Sequence, residues 1–299
     1  ASISMHITAT YLMQNDMNVG LIEPCFDNLH DLMKHMHVPL SPLDESLFSD
    51  SNRIYGNLIQ HALGLDAIFI VDPNNPTGFS IFSENTEAFC ELLRFCKDFN
   101  KLLIMDFCFS AFIKVSGGDR VDVYELLEGS EVSFIAMEDT GKTWPIQDAK
   151  CSTLQVSKNI NNDVYNIVTS VLLNVSPFIL KMVTRYIEDS EKDNFLSVRS
   201  VLETNRNLAI KYLDGDLLQY CPPQINTSVA WFEITDPNIN SDQLQETLKT
   251  RNVYVLPGKY FYWANPERGQ RYIRIALARD SDTFLDAMKA ASSVINEYK

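Results

Sequence analysis

A chain of 299 residues is long enough to bury one large core or two of ordinary size. Its content, 45% hydrophobic and 21% charged, is that of a soluble globular protein and excludes a disordered or membrane-embedded one. With a net charge of -14 and scattered Asp and Glu, no basic face is available for nucleic acid, and the acidic residues read as a solubilising surface.

The first segment, from Ser2 to about Met13, has helical apolar periodicity. A short strand follows in "NVGLIE" (18–23), then a helix over about 26–37. "LDAIFIVD" (65–72) reads as a buried strand, bounded by the turn signals Pro73, Asn74 and Pro76. A helix spans about 83–99, and "KLLIMDF" (101–107) and "EVSFIAM" (131–137) are further strands. Continuous apolar strands separated by helices imply a mostly parallel sheet covered on both faces. Ligands of such sheets bind beyond the carboxyl ends of the strands, where Asn75, Asp106 and Lys142 fall. From about Asn159 the pattern changes: two helices flank Pro177, the second running to about Asp214 with breaks. Strands follow in "SVAWFEIT", "NVYVLPG" and "RYIRIAL", with a helix between the first two and a last helix from Asp280. The expected fold is therefore α/β: a large domain over 1–185, and a smaller C-terminal α+β domain over 186–299 behind a long connecting helix.

The six cysteines form no CxxC pair and several lie in apolar runs such as "AFCELLRFC", so a reducing, cytoplasmic setting is expected. The sequon Asn226-Thr227-Ser228 is read as chance. No run reaches the length of a membrane span, and the start lacks the basic region and cleavage site of a signal peptide. The chain begins without Met, inside a helical pattern. His30, His35, His37 and His61 lack metal-ligand spacing, so no metal is expected.

The most specific string is "DPNNPTG" (72–78), placed after a buried strand. Asn-Pro and Gly alone mark only a turn. The full string, however, resembles the Asn-Pro-Thr-Gly signature of the class I/II aminotransferases, the aspartate aminotransferase superfamily of fold-type I pyridoxal-phosphate enzymes. "LLIMDFCFSAF" (102–112) resembles the strand ending in that family's Asp-x-x-Tyr stretch, and Lys142 follows Asp106 by 36 positions, a spacing that fits the family. Almost the whole chain is covered by the resemblance.

What it implies is a large domain that binds pyridoxal 5'-phosphate. Asp106 would keep the pyridine nitrogen protonated, so that the ring acts as an electron sink. Lys142 would be the Schiff-base lysine and the acid and base that moves the proton, although a loop lysine met alone would be read as solvated. Asn75 would bond the phenolic oxygen of the cofactor and the substrate carboxylate, and Phe26, in "EPCFDNL", would stack on the ring. Ala1 and Ser2 align with the loop entering a helix whose amides cup the phosphate. Lys150 falls where an arginine contacts the phosphate, supplying charge without the bidentate fork. In "RYIRIALAR", Arg274 matches the arginine that clamps the substrate carboxylate, with Arg271 and Arg279 left as paired surface residues.

Four departures accompany these matches. Phe109 replaces a tyrosine that donates to the phenolic oxygen, and Asp139 replaces a phosphate-binding serine, leaving Thr140 or a water for that task. Lys150 replaces arginine, and the N-terminal arm and start of the family have no counterpart, so the chain reads as a fragment or a shortened member. Near "LLNVSPF" (172–178), where dicarboxylate-specific members carry a second arginine, there is no cation. The expected activity is transfer of an amino group from a non-dicarboxylic amino acid to a 2-oxo acid, in a homodimer. Its rivals are other pyridoxal-phosphate chemistry (elimination, cyclisation, decarboxylation or oxidation) and a non-catalytic homologue.

Overall fold

The computed structural model describes residues 2–83, 85–144, 146, 149 and 151–296. Six strands make the first sheet: β1 Val19–Glu23, β2 Leu40–Asp44, β3 Ala67–Val71, β4 Leu102–Asp106, β5 Phe134–Asp139 and β6 Ser152–Val156, in the order β2-β1-β3-β4-β5-β6. Neighbours are parallel except β6, which runs antiparallel to β5. Every residue of β1, β3 and β4 is buried, which is why they read as unbroken apolar runs. The two edge strands were not anticipated. β2 reads "LSPLD", with a proline that only an edge tolerates, and β6 is half-buried along its length.

Helices α1 Ser2–Gln14, α2 Asp27–His35, α3 Ile54–His61, α4 Glu87–Asp98, α5 Ala111–Val115, α6 Val123–Gly129 and α7 Asn161–Val171 flank this sheet. α4 buries Phe89, Leu92, Leu93, Phe95 and Cys96, the stripe of a helix with one face on the core. The helix expected to run from about 178 to 214 with breaks is two helices, α8 Pro177–Lys192 and α9 Leu196–Leu213. Asn194 and Phe195 break it with φ of 53° and 58°, in the left-handed region. α8 opens on Pro177, whose missing N–H is no loss in the first turn.

The second sheet is antiparallel, in the order β7-β8-β10-β9, from β7 Leu218–Cys221, β8 Val229–Ile234, β9 Leu256–Pro257 and β10 Tyr272–Ala276. α10 Ser241–Lys249, α11 Pro266–Gly269 and α12 Ser281–Asn296 complete this half. α10 starts on a capping box between Asn240 and Gln243.

Two apolar cores result, one around β1 to β5 and one joining α9 and α12 to the second sheet through Leu202, Ala209, Phe232, Ile273 and Met288. Phe109 and Phe112, just past β4, belong to the second core, so the chain beyond Asp106 is built into both halves. Among the described residues, no helix is long and apolar enough to cross a membrane, and no three His, Cys, Asp or Glu could hold a metal ion together. All six cysteines are free.

Candidate active site

The carboxyl ends of β3, β4 and β5 lie side by side, with Val71 paired to Asp106 and Asp106 to Met137. The segments that leave these strands, and the one that leaves β1, surround one pocket. Ser2, Phe26, Asn75, Asp106, Phe109, Asp139 and Lys142 all line it. Ala1 and Lys150, the two remaining candidates for the phosphate end, lie outside the described residues.

Lys142 is half-buried, with Nζ 4.9 Å from the centre of the Phe26 ring. Its loop is anchored on both sides. Asp139 Oδ1 accepts from the Gly141 amide at 2.9 Å, and Trp144 Nε1 donates to Ser190 Oγ on α8 at 2.8 Å. Trp144 also packs with Val183 of α8. The loop that carries Lys142 is thus fixed on both sides, and the lysine lines the pocket.

Asp106 ends β4 with 6% of its surface exposed. Burial pushes its carboxyl above the usual range, opposed by hydrogen bonds from Cys108, whose amide donates to Oδ1 at 2.9 Å. A cationic N–H in the pocket would relieve that cost. Asp139, at the end of β5, is equally buried. Thr140 does not stand in for the missing serine. Its hydroxyl donates to the Cys151 carbonyl at 3.0 Å and accepts from the Cys151 amide at 3.1 Å, which commits it to joining β5 and β6.

The 72–78 turn closes on itself: the Asn74 amide donates to Phe79 O at 2.7 Å and the Gly78 amide to Asn74 O at 2.8 Å. Gly78 has φ of +70°, and a Cβ there would lie 2.4 Å from Pro223 Cβ. The Ile225 amide bonds Gly78 O at 2.9 Å, so the same glycine lets a segment of the second half dock on the turn. Beside it, Arg274 Nη1 donates to Asn75 Oδ1 at 3.2 Å. On β10 Ile273 and Ile275 face the core and Arg274 the other side, its guanidinium 5.1 Å from the Phe261 ring. Burial lowers its pKa, and the Asp27 carboxylate works in the opposite direction. Its Nε is buried without a hydrogen-bond partner among the described residues.

Phe26 precedes α2 in an extended conformation and packs on the Trp231, Phe261 and Tyr262 cluster of the second half. Phe109 meets Phe112 edge-on at 5.3 Å. Five lining residues were not anticipated: Met5, Asn28, Leu29, Val71 and Cys108. Cys108 follows Asp106 by two, the spacing of one strand face, but inside an apolar run it reads as a small core residue.

A flat ring face, a buried carboxylate, a sheltered amine and a guanidinium with an unspent donor fit a pyridine aldehyde and the carboxylate of an amino acid. Ser2 also lines the pocket, at the start of the 13-residue helix α1, and the first amides of a helix have no partner within it.

The family model for aminotransferase class I and II matches residues 3–290. No curated protein matches the sequence. Among solved structures, that of MppP soaked with the product 2-ketoarginine is 27% identical, with a TM-score of 0.87, over 98% of this chain and 80% of its own. A pyridoxal-phosphate-bound putative aminotransferase from Clostridium difficile 630 is 18% identical, with a TM-score of 0.79, over 97% of this chain and 76% of its own. LysN, an α-aminoadipate aminotransferase from Thermus thermophilus, is 13% identical, with a TM-score of 0.78, over 98% and 75%. The last two share the fold. Together with the family match, the pyridoxal-bound neighbours imply pyridoxal phosphate as the cofactor.

Proposed function

The chain belongs to the aminotransferase class I and II family, and from that premise we propose that it moves an amino group from a neutral or basic amino acid to a 2-oxo acid. One observation carries this reading: Lys142, Phe26 and Asp106 share a pocket with Asn75, which is bonded to Arg274.

When bound, pyridoxal phosphate supplies an aldehyde for the amine and a sink for the electrons left at Cα. Lys142 Nζ, beside the Phe26 ring, would take the Cα proton of the substrate and give it back as the acid. Asp106 would pair with the protonated pyridine nitrogen, since its own burial favours a cationic partner. Arg274 has Nε free for the substrate carboxylate, and Asn75 on Nη1 fixes the plane of its guanidinium. Ser2 and the start of α1 receive the phosphate.

The Asp27 carboxylate, near enough to act on Arg274, favours a substrate with a cationic side chain. MppP, 27% identical, has been seen with 2-ketoarginine, a 2-oxo acid with such a side chain. A second reading, oxidation of the amino acid in which dioxygen takes the two electrons and the nitrogen leaves as ammonia, is favoured by Phe109, an apolar ring where the family's tyrosine would present a hydroxyl. A homodimer is supported by the apolar surface of α7, α8 and the segment between them, where Leu173 is 91%, Phe178 76% and Tyr165 62% exposed in the single chain. The two cores support two units, the second of which draws on the chain just past β4 as well as on α9 to α12, and the free cysteines support a cytoplasmic setting.

The test is the visible absorption of the purified protein titrated with pyridoxal phosphate, beside Lys142→Ala. A band in the parent that the variant lacks supports the reading, and its absence from the parent overturns it. Incubation with L-arginine, with and without a 2-oxo acid, then separates the two reactions. Amino transfer to the acceptor is expected, and a product formed equally without one selects the second reading.

A further inference from the structure

Asn75 is positioned by a turn whose anchors lie outside the pocket. At one end Asp72, 1% exposed, accepts from Ser80 Oγ at 2.8 Å and from the Ile81 amide at 2.6 Å. Its bonds are to the turn's own chain. The anchor at the other side comes from a different part of the fold. Glu45 opens the 3-10 turn Glu45–Phe48 at the end of the edge strand β2. Its Oε2 accepts from Asn74 Nδ2 at 2.6 Å and from Thr77 Oγ1 at 2.6 Å, so it bonds the residues on both sides of the Asn75-Pro76 pair.

Asn74 is fully buried, and its Nδ2 also donates to Pro24 O at 2.8 Å, two residues before Phe26. Thr77 Oγ1 in turn accepts from the Phe79 amide at 3.2 Å. Glu45 thus stands where the stacking residue, the Asn75 turn and the sheet edge meet, though it does not line the pocket. Glu45 is half-buried, and desolvation pushes its carboxyl up to about 7, against the lowering effect of Thr77 and Asn74. A carboxyl kept in such a place against that cost serves the placement of its partners.

We propose that Glu45 is a positioning residue for the reaction: it staples Asn74 and Thr77 and thereby holds Asn75 against Arg274 and beside Phe26. The consequence for the site rests on the reading of Asn75 and Arg274 given above; the staple itself does not. Because both donors converge on one oxygen, an amide carbonyl can replace the carboxyl while its NH2 takes the place of Oε1. Glu45→Gln therefore preserves the staple and Glu45→Ala removes it.

Two measurements test this. Hydrogen–deuterium exchange of the 72–81 amides reads the staple without any cofactor. About tenfold faster exchange is expected in Glu45→Ala, with Glu45→Gln within about twofold of the parent. Unchanged exchange in Glu45→Ala overturns the proposal, as does a Gln variant that behaves like Ala. Titration with pyridoxal phosphate reads the consequence. Glu45→Ala should bind about tenfold more weakly, and most of that loss should vanish when Asn75 is already Ala, since a residue acting through another is not additive with it. Full additivity makes Glu45 merely structural and overturns the positioning role. If the parent binds no pyridoxal phosphate, the reading of the function falls, while the exchange result still decides the staple.

Discussion

The 72–81 turn and the 139–146 loop both deliver a polar side chain to the pocket, by opposite means. The turn carrying Asn75 is closed largely by short-range bonds: Asn74 to Phe79, Gly78 to Asn74, and Asp72 to Ser80 and Ile81. The loop carrying Lys142 has one such bond, Asp139 to Gly141, and otherwise depends on other elements, Cys151 beside β6 for Thr140 and Ser190 on α8 for Trp144. A turn specified locally leaves a recognisable string, because each position has its own steric or hydrogen-bonding requirement. A loop held by tertiary contacts leaves a lysine among residues that would suit many loops.

Replacing Lys142 by Ala should break this contrast most severely, since it removes the reacting amine without touching the framework. Turnover should fall by about 10³-fold, the scale of a lost acid–base group, while the far-ultraviolet spectrum and Tm are kept. Stopped-flow absorption with pyridoxal phosphate and L-arginine, beside circular dichroism, checks both. Gly78→Ala attacks the turn through its backbone. With φ of +70° and Pro223 Cβ 2.4 Å from the new methyl, it should cost roughly 2 kcal/mol or more in urea unfolding.

A smaller effect follows from pH. Burial pushes Glu45 and Asp72 up to about 7, so the folded chain holds these protons more tightly than the unfolded one. Their contribution to stability is full below the ordinary carboxylate range and is lost as pH rises through about 7. The groups facing them are Asp44, Arg268 and Glu233 around Glu45, and Arg120 near Asp72. Tm should therefore drop between about pH 5 and pH 8 in the parent and drop less in Glu45→Gln. Ser190→Ala should have the least effect. Loss of one hydrogen bond to Trp144 costs about 1 kcal/mol in unfolding. The cofactor should then be captured more slowly by Lys142, with the 72–81 exchange pattern unchanged.

Much of the site was legible because its residues are tied to short motifs at the ends of apolar strands. Asn75, Asp106 and Lys142 were anticipated from such strings, and the structure gathers all three around one pocket. The misses have a common cause. β2 and β6 lie at sheet edges, where one side is left to solvent and no apolar run is required. Breaks were expected in the helix that runs to about Asp214, but not their place, because Asn194 and Phe195 are a left-handed pair without glycine. Thr140, expected as a substitute phosphate ligand, is spent on Cys151, a partner 11 residues away beside another strand.

Local chemistry, then, was enough for the central strands, the longer helices, the special turn and the family resemblance. These depend on periodicity and on which residues tolerate a given backbone, and both are properties of neighbouring positions. Tertiary structure alone decided that Arg274, 199 positions after Asn75, bonds to it, and that Phe26 rests on the aromatic cluster of the second half. It also decided that Glu45 braces the turn from a sheet edge. Such contacts join segments with no sequence relation, and they form only when burial of two separate cores brings those segments together.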